Sequence, residues 1–226
     1  MIRQLTFDLP AQENLTRADF TISGANALAL AALDQWQDWP GRKMLLVGPQ
    51  GAGKTHLAAI WAADTAALPL TGADLVATDL ARLDEGRAVV VEDADRVAGD
   101  PAAEEALFHL HNIATRAGHL LLTARTPPRD WGLRLPDLLS RMQAAPLTRL
   151  DPPDDALLAK LLAKLFADRQ LAVQPALLPW LVARMPRSFA AARAIVAELD
   201  ARSLAQARPI TLRLAAEILD MDAPEW

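Results

Sequence analysis

The chain of 226 residues contains no cysteine, and no hydrophobic run in it is long enough to cross a bilayer. Without cysteine there is no disulfide framework, no thiolate metal site and no thiol nucleophile. The first residues, Met-Ile-Arg-Gln, also lack the apolar core of a secretory signal. We therefore expect a cytoplasmic protein that makes no contact with a membrane.

Positive charge is scarce as well. Lysine and arginine together number 23 against 28 aspartates and glutamates, which leaves a net charge of −5. A protein with this balance lacks the overall electrostatic footprint of a duplex-DNA binder, so we expect little direct DNA binding. Most of the cations are arginines, which suit fixed contacts with phosphates or carboxylates. The hydrophobic share of 52% is typical of a globular protein.

The most informative segment is a glycine-rich loop. Residues 48–55 read Gly-Pro-Gln-Gly-Ala-Gly-Lys-Thr and fit the phosphate-binding pattern G-x-x-x-x-G-K-[ST], with a strand-like run before it and a helical pattern after it. In such a loop backbone amides surround the β-phosphate, the lysine reaches the β- and γ-phosphates, and the threonine hydroxyl binds Mg²⁺. The alternative is a glycine-rich turn that binds nothing. The predicted nucleotide-binding residues of this loop are Gly48, Gln50, Gly51, Ala52, Gly53, Lys54, Thr55 and His56.

The hydrophobic pattern predicts an α/β nucleotide-binding domain over residues 15–150. Short apolar segments predict strands at Lys43–Val47, 88–91, 120–123 and 145–148, with a poorly marked strand between 68 and 76. They lack strict alternation, which is typical of a parallel sheet flanked by helices on both faces. The best-marked helix between the strands covers 102–117.

A second, all-helical unit follows. Residues 150–154, Leu-Asp-Pro-Pro-Asp, form a breaker segment, and the pattern after it is helical to the end. We expect a small all-α lid domain over 151–226, preceded by the α/β domain and by an N-terminal tail over 1–14. The predicted lid helices cover 156–169, 175–185, 188–202 and 212–219.

Two acids follow the predicted strand at 88–91. Glu92 and Asp93 would lie beside the phosphate loop, where Mg²⁺ and an attacking water belong. If the strand ends at Val91, Glu92 is the acid on the metal side and Asp93 the acid on the water side. The alternative is an ordinary strand followed by an acidic turn.

Three further side chains carry weaker signals. Thr123, at the tip of the neighbouring strand, either senses the γ-phosphate or caps its strand. Arg141 precedes the last strand and either enters a neighbouring protein's site as an arginine finger or is a surface arginine. Arg187 opens a lid helix and either folds back onto the phosphates or stays solvated. His109 and His111 point to different faces of one helix, so we do not predict a histidine metal site.

Several segments resemble the AAA+ domain of the bacterial replication initiator DnaA. They are Gly-Lys-Thr-His-Leu at 53–57, Ala-Leu-Phe-His-Leu-His-Asn at 106–112, Leu-Leu-Leu-Thr at 120–123 and Leu-Pro-Asp-Leu-Leu-Ser-Arg-Met at 135–142. Residues 20–26 resemble the segment that opens that domain near the adenine. The resemblance spans 20–219 and implies an AAA+ P-loop fold that binds ADP or ATP with Mg²⁺.

The resemblance also implies roles for the candidate residues. Lys54 and Thr55 match the phosphate-loop residues, and Glu92 and Asp93 match the acidic strand end. In the same way, Thr123 matches the first sensor of the family and Arg187 matches the arginine sensor of the lid. Arg141 matches the arginine finger, which acts in trans on a neighbouring protein's nucleotide. Glu92 stands where the family usually has aspartate, which puts the Mg²⁺ geometry and the chain's own hydrolysis in doubt.

The N-terminal tail points to a narrower relationship. Residues 4–9 read Gln-Leu-Thr-Phe-Asp-Leu and resemble the peptides that dock on the sliding clamp of the replicative polymerase, with Gln4 at the mouth of a pocket and Leu5, Phe7 and Leu9 as apolar anchors. The alternative is a strand that packs on its own domain. The sequence contains neither DnaA's long N-terminal module nor its DNA-reading helix-turn-helix domain. A short AAA+ body with a clamp peptide resembles the Hda family, DnaA-related regulators that inactivate the initiator.

The resemblance therefore implies a regulator with two partners, DnaA and the β sliding clamp of DNA polymerase III. The leading hypothesis is that nucleotide sets the lid, the tail binds the clamp, and Arg141 enters the ATP site of DnaA. The alternative is an autonomous AAA+ ATPase of the helicase-loader type, in which Arg141 reaches a second copy of the chain as a homodimer or larger assembly. A third hypothesis is a clamp-tethered adaptor whose nucleotide only stabilises the fold.

Overall fold

The computed structural model describes residues 15–80, 83 and 86–221. The predicted clamp-binding residues Gln4, Leu5, Phe7 and Leu9 lie outside them. No helix within the described ranges is both long and apolar enough to span a membrane.

Five parallel strands form one sheet in the order β2-β3-β4-β1-β5. The strands are β1 Lys43–Val47, β2 Leu68–Thr71, β3 Val89–Glu92, β4 Leu120–Ala124 and β5 Leu147–Arg149. Every residue of β1 and β4 is buried, whereas the edge strands alternate between less and more exposed positions. The predicted strands are confirmed to within two residues, and the poorly marked one is β2.

Helices cover both faces of the sheet and form the whole C-terminal part. The helices are α1 Ala27–Asp34, α2 Lys54–Thr65, α3 Pro101–Ala117, α4 Pro136–Gln143, α5 Asp155–Asp168, α6 Leu177–Val182, α7 Phe189–Gln206 and α8 Leu212–Met221. The pattern along the sequence did not predict α1 and α4. Each has only eight residues, fewer than the window over which a helical period is read.

Local chemistry determines where the long helices begin. Asp100 precedes Pro101 and accepts a hydrogen bond from Ala102 N at the start of α3. Asp154 caps α5 through Leu157 N at 2.7 Å, and Ser188 caps α7 through Ala191 N at 3.0 Å. The caps on α5 and α7 lie at the two lid segments that approach the sheet.

Two apolar clusters pack on opposite faces of the sheet, one against α3 and α4 and the other against α1 and α2. A third cluster, built around Leu158, Phe166 and Leu199, lies wholly in the lid. Polar contacts join the lid to the α/β part, and two of them lie beside the phosphate loop and residue 20. Phe189 N donates to Gly51 O at 2.9 Å, and Lys164 Nζ lies 3.1 Å from Asp19 Oδ1.

Candidate nucleotide site

The phosphate-binding motif forms the turn between β1 and α2. Gly51 and Gly53 have φ values of 75° and 99°, a backbone region that favours glycine. A Cβ on Gly51 would lie 2.5 Å from Ser188 Cβ, and one on Gly48 would lie 2.6 Å from Leu150 O. Glycine is therefore required for the turn itself and for the close approach of the lid.

Lys54 begins α2 and is only 8% exposed. Its ammonium donates to Gly48 O at 2.7 Å and to Pro49 O at 2.9 Å, both carbonyls of its own loop. Burial lowers the pKa of Lys54, while the charges of Asp93 and Asp95 act in the opposite direction. A partly desolvated cation bonded to neutral carbonyls favours an incoming anion, because a buried charge needs a countercharge.

The acidic strand end lies against the first turn of α2. Thr55 Oγ1 donates to Glu92 Oε2 at 2.6 Å, so the two predicted metal-side groups are in direct contact. Strand β3 runs through Glu92, one residue further than the pattern suggested, and Asp93 then turns the chain with a φ of 49°. The Asp93 carboxylate lies 3.3 Å from Arg96 Nε.

The chemistry of these donors fits Mg²⁺. That ion takes few protein oxygens and keeps waters and substrate phosphates as its other ligands. Thr55 and Glu92 supply one hydroxyl and one carboxylate at the mouth of the loop. Within the described ranges no group of three or more histidines, aspartates or glutamates is arranged to hold a metal ion.

Thr123 lies near the end of β4, beside the acidic turn, as the sequence predicts. Its side chain is 1% exposed, and its hydroxyl accepts a hydrogen bond from Asp93 N at 3.1 Å. Thr123 therefore holds the turn that carries the acids and does not line the cavity beside the loop.

That cavity, of about 900 Å³, opens between the phosphate loop and the lid. Six of the eight predicted loop residues line this cavity, and Gly48 and Ala52 do not. The six are Gln50, Gly51, Gly53, Lys54, Thr55 and His56. Phe20 and Thr21 also line it, and the Phe20 and His56 rings pack in a T-shaped arrangement at 5.1 Å between centroids. The cavity lining thus combines charged side chains with the aromatic rings of Phe20 and Phe189.

Four arginines that the sequence did not single out line the same cavity, and one of them, Arg169, follows the end of α5. Arg96 and Arg125 follow the carboxyl ends of β3 and β4, and Arg193 comes from the first turns of α7. Since ligands bind at the carboxyl edge of a parallel sheet, the position of Arg125 after a buried strand was a usable signal. No local signal distinguishes Arg193 from its neighbours on α7.

The predicted lid arginine does not reach the cavity. Arg187 Nη2 lies 2.7 Å from Asp155 Oδ1 at the start of α5, so this pair is contained within the lid. Phe189, two residues later, takes the place over Gly53, at 3.2 Å from where a Cβ would stand. Near the start of α7 it is Arg193, and not Arg187, that lines the cavity with a positive charge.

Arg141 lies in α4, outside the cavity. Its guanidinium carbon is 4.8 Å from the centroid of the Phe108 ring, a cation–π arrangement. Its carbonyl accepts a hydrogen bond from Lys43 Nζ at 2.9 Å, so contacts hold both the backbone and the side chain. The structure therefore separates Arg141 from the chain's own phosphate loop.

Lys43 also contacts His111, and both side chains are buried. Lys43 Nζ lies 3.0 Å from His111 Nε2. Burial, and then the charge of Lys43, lower the pKa of His111 to about 4, while burial lowers the pKa of Lys43. The imidazole is therefore neutral near pH 7 and can accept a hydrogen bond from the ammonium.

No model of a known protein family matches the chain. Among solved structures, it is similar to domain III of the replication initiation protein DnaA from Thermotoga maritima, with a TM-score of 0.79, 18% identity, and coverage of 96% of this chain and 100% of that one. It is also similar to AMPPCP-bound DnaA from Aquifex aeolicus, with a TM-score of 0.70, 15% identity, and coverage of 85% of this chain and 67% of that one.

A more distant likeness is to a variant of RuvB from Thermotoga maritima, with a TM-score of 0.64, 20% identity, and coverage of 86% of this chain and 66% of that one. At these identities the likeness shows the fold. The chain has the AAA+ fold of DnaA domain III, a five-stranded parallel sheet flanked by helices and followed by a helical C-terminal part.

Proposed function

We propose that this chain is a regulator of the Hda type, which binds adenine nucleotide and the sliding clamp and stimulates hydrolysis of ATP bound to DnaA. The observation that carries the proposal is the placement of Arg141. It is held on a surface separate from the chain's own cavity, by Phe108 and by Lys43. An arginine so placed is available to a partner's nucleotide.

Holding the residue in place matters because a free arginine side chain loses rotamer freedom when it enters a partner's site. The Phe108 ring limits the directions of the guanidinium, and the hydrogen bond from Lys43 fixes the backbone of the helix end. An arginine finger supplies ~10³–10⁵-fold in rate where it acts on phosphoryl transfer. One preorganised residue is therefore sufficient for a regulatory switch.

The chain's own cavity fits ADP or ATP with Mg²⁺. The amides of the glycine loop and Lys54 would hold the phosphates, Thr55 and Glu92 would hold the metal ion, and Phe20 and His56 would flank the base. Bound between the loop and the lid, the nucleotide would supply negative charge to both. In this proposal Arg193, rather than Arg187, takes part in neutralising that charge from the lid.

The test follows radiolabelled ATP prebound to DnaA, with this protein and DNA-loaded clamp present or absent. We expect hydrolysis only with both, and its loss in Arg141→Ala. Arg213→Ala is the matched control, because Arg213 is a surface arginine that is 91% exposed on the lid helix α8. Equal hydrolysis with Arg141→Ala and wild type would rule out the finger.

The clamp contact has its own test. Leu5→Ala combined with Phe7→Ala removes two of the three apolar anchors of the predicted clamp peptide. We expect this variant to lose binding to the clamp in a pull-down and to lose clamp-dependent hydrolysis, while its nucleotide affinity stays unchanged. Retention of clamp binding would assign residues 4–9 to another role.

A second candidate function is an autonomous ATPase of the helicase-loader type. It is favoured by the gathering of Lys54, Thr55 and Asp93 around one cavity, with Glu92 bonded to Thr55 at its edge. It predicts ATP turnover by the purified chain, rising with protein concentration as copies assemble and Arg141 reaches a neighbouring copy. A chain that turns over no ATP at any concentration would exclude it.

A further inference from the structure

Three exposed arginines gather at the amino edge of the sheet, opposite the edge that carries the phosphate loop. Strands β3, β4 and β1 are neighbours in that order, and their first residues stand at the same level of the sheet. Arg42 immediately precedes β1, Arg87 lies two residues before β3, and Arg116 is in the last turn of α3, which leads into β4. The parallel sheet thus brings together cations from three distant parts of the sequence.

Close contacts place Arg42 and Arg87 at the C-terminal end of α3. Arg42 Nη1 donates to Ala117 O at 2.6 Å. The carbonyl oxygen of Arg87 is so close to Gly118 that a Cβ there would lie 2.2 Å from it. The backbone of Arg42 has a φ of 55°, a region that residues other than glycine enter at some cost. The partial negative charge at the end of a helix stabilises cations placed around it.

The surface at this edge is positive, although the whole chain carries a net charge of −5. Burial, and then the charge of Arg42, lower the pKa of His119, the residue that precedes β4. Among the residues that the structure describes, no carboxylate forms a salt bridge with Arg42, Arg87 or Arg116. The acidic balance of the whole chain therefore conceals a local basic surface.

Phosphate groups are the anions that suit this surface best. A guanidinium donates two parallel hydrogen bonds to phosphate oxygens. The core of a protein–protein interface is usually apolar, and none of the large hydrophobic side chains that the structure exposes belongs to the segments that carry these arginines. Those exposed side chains are Ile22, Leu28, Val76, Leu147 and Leu204. Duplex DNA presents a dense array of phosphates, with one charge per about 1.7 Å of helix axis.

We propose that Arg42, Arg87 and Arg116 bind the phosphate backbone of duplex DNA without regard to base sequence. The inference depends neither on the nucleotide cavity nor on Arg141. Three phosphate contacts make a weak, salt-sensitive interaction, so the surface adds a local contact to a chain whose overall charge disfavours DNA. Such a contact would act where the protein is already held beside DNA.

The experiment measures the affinity of the full chain for a short fluorescently labelled duplex by anisotropy, between about 50 and 200 mM salt. Each phosphate contact contributes about −0.9 to the slope of log K against log salt concentration, so three contacts predict a loss of about 40-fold over this range. We expect Arg116→Gln to weaken binding at the lowest salt and to reduce that loss to about 10-fold. Arg116→Lys keeps the charge and should keep the slope.

Arg213→Gln and Arg125→Gln are the matched controls. Arg213 is 91% exposed on α8, and Arg125 lines the nucleotide cavity, so neither substitution should change the slope. The urea midpoint of Arg116→Gln should equal that of the wild type, because its side chain lies on the helix surface.

Two results would overturn the proposal directly. One is a wild type that does not bind the duplex at the lowest salt concentration. The other is a slope that Arg42→Asn, Arg87→Gln and Arg116→Gln all leave unchanged; asparagine is used at position 42 because it tolerates a positive φ. Equal competition by poly-glutamate at the same concentration of charge would assign the surface to an acidic protein instead of DNA.

Discussion

Gly51 and Gly99 both have positive φ values, 75° and 89°, but only Gly51 lies against the lid. An alanine at either position is strained by its backbone. At Gly51 the added methyl would also meet Ser188 Cβ at 2.5 Å, whereas at Gly99 nothing lies within 4 Å. We expect Gly51→Ala to reduce the free energy of unfolding by about 1–3 kcal/mol more than Gly99→Ala, in urea titrations followed by tryptophan fluorescence. Equal losses would mean that the lid moves away from the loop at little cost.

A second prediction at the scale of single residues concerns His111, whose burial should make the folded protein less stable in acid. Its folded-state pKa of about 4 lies below its unfolded value of 6.5, so the unfolded chain binds the proton more readily between these values. The contribution to stability is complete above pH 6.5 and is lost as pH falls toward 4. Between pH 7 and pH 5 we expect the loss at this residue to be about 1 kcal/mol after solvent screening.

The measurement compares urea unfolding of the wild type and His111→Gln at the two pH values. The variant should show the shallower dependence on pH. His109→Gln is the control, because His109 is on the same helix but its side chain is 57% exposed. A pH dependence identical in all three proteins would contradict the assignment.

Among the elements, α3 and α4 are joined by one buried carboxylate. Glu104 is 1% exposed and accepts hydrogen bonds from Gly99 N at 3.0 Å, Arg134 N at 2.9 Å and Leu135 N at 2.8 Å. The last two amides belong to the segment that leads directly into α4 and thus to Arg141. Glu104 therefore sets where α4 begins relative to α3.

Glu104→Ala would leave three amides without their acceptor. We expect a loss of about 3 kcal/mol or more in the free energy of unfolding, because each buried unpaired group is costly. For the proposed stimulation of DnaA we also expect a weaker effect, since α4 would no longer be held. Glu105→Ala, at a neighbouring side chain that is 71% exposed, should change neither quantity. If a folded Glu104→Ala protein gave the same stimulation as the wild type, Glu104 would not be needed to hold Arg141 in position.

Across the whole molecule, the cavity lies between the α/β part and the lid, so the proposed nucleotide would contact both. A ligand at 100 times its dissociation constant adds about 2.7 kcal/mol to the stability of the folded state. For a chain of this size that corresponds to a rise in melting temperature of about 5–10 °C. We expect this rise with Mg²⁺-ADP by scanning calorimetry and its absence in Lys54→Ala. A rise of the same size in Lys54→Ala would place the nucleotide elsewhere.

Much of this architecture is readable along the chain. The loop at 48–55, the apolar strands and the acids at the end of β3 are local patterns, and each lies within two residues of where its pattern indicates. Buried parallel strands need continuous apolar residues, and a phosphate loop needs glycines at its turn, so both leave marks within a few neighbouring residues. The two eight-residue helices were missed because so short a segment carries no clear period.

The sequence by itself determined the loop chemistry, the parallel sheet and the helical lid. Only the tertiary structure decided which side chains face the cavity. It turns Thr123 toward Asp93 N and pairs Arg187 with Asp155. It also brings Arg125 and Arg193, which are 68 positions apart in the sequence, to the same cavity. The physical reason is that a side chain's direction depends on how its strand or helix packs against distant elements, and the pattern of neighbouring residues does not contain that information.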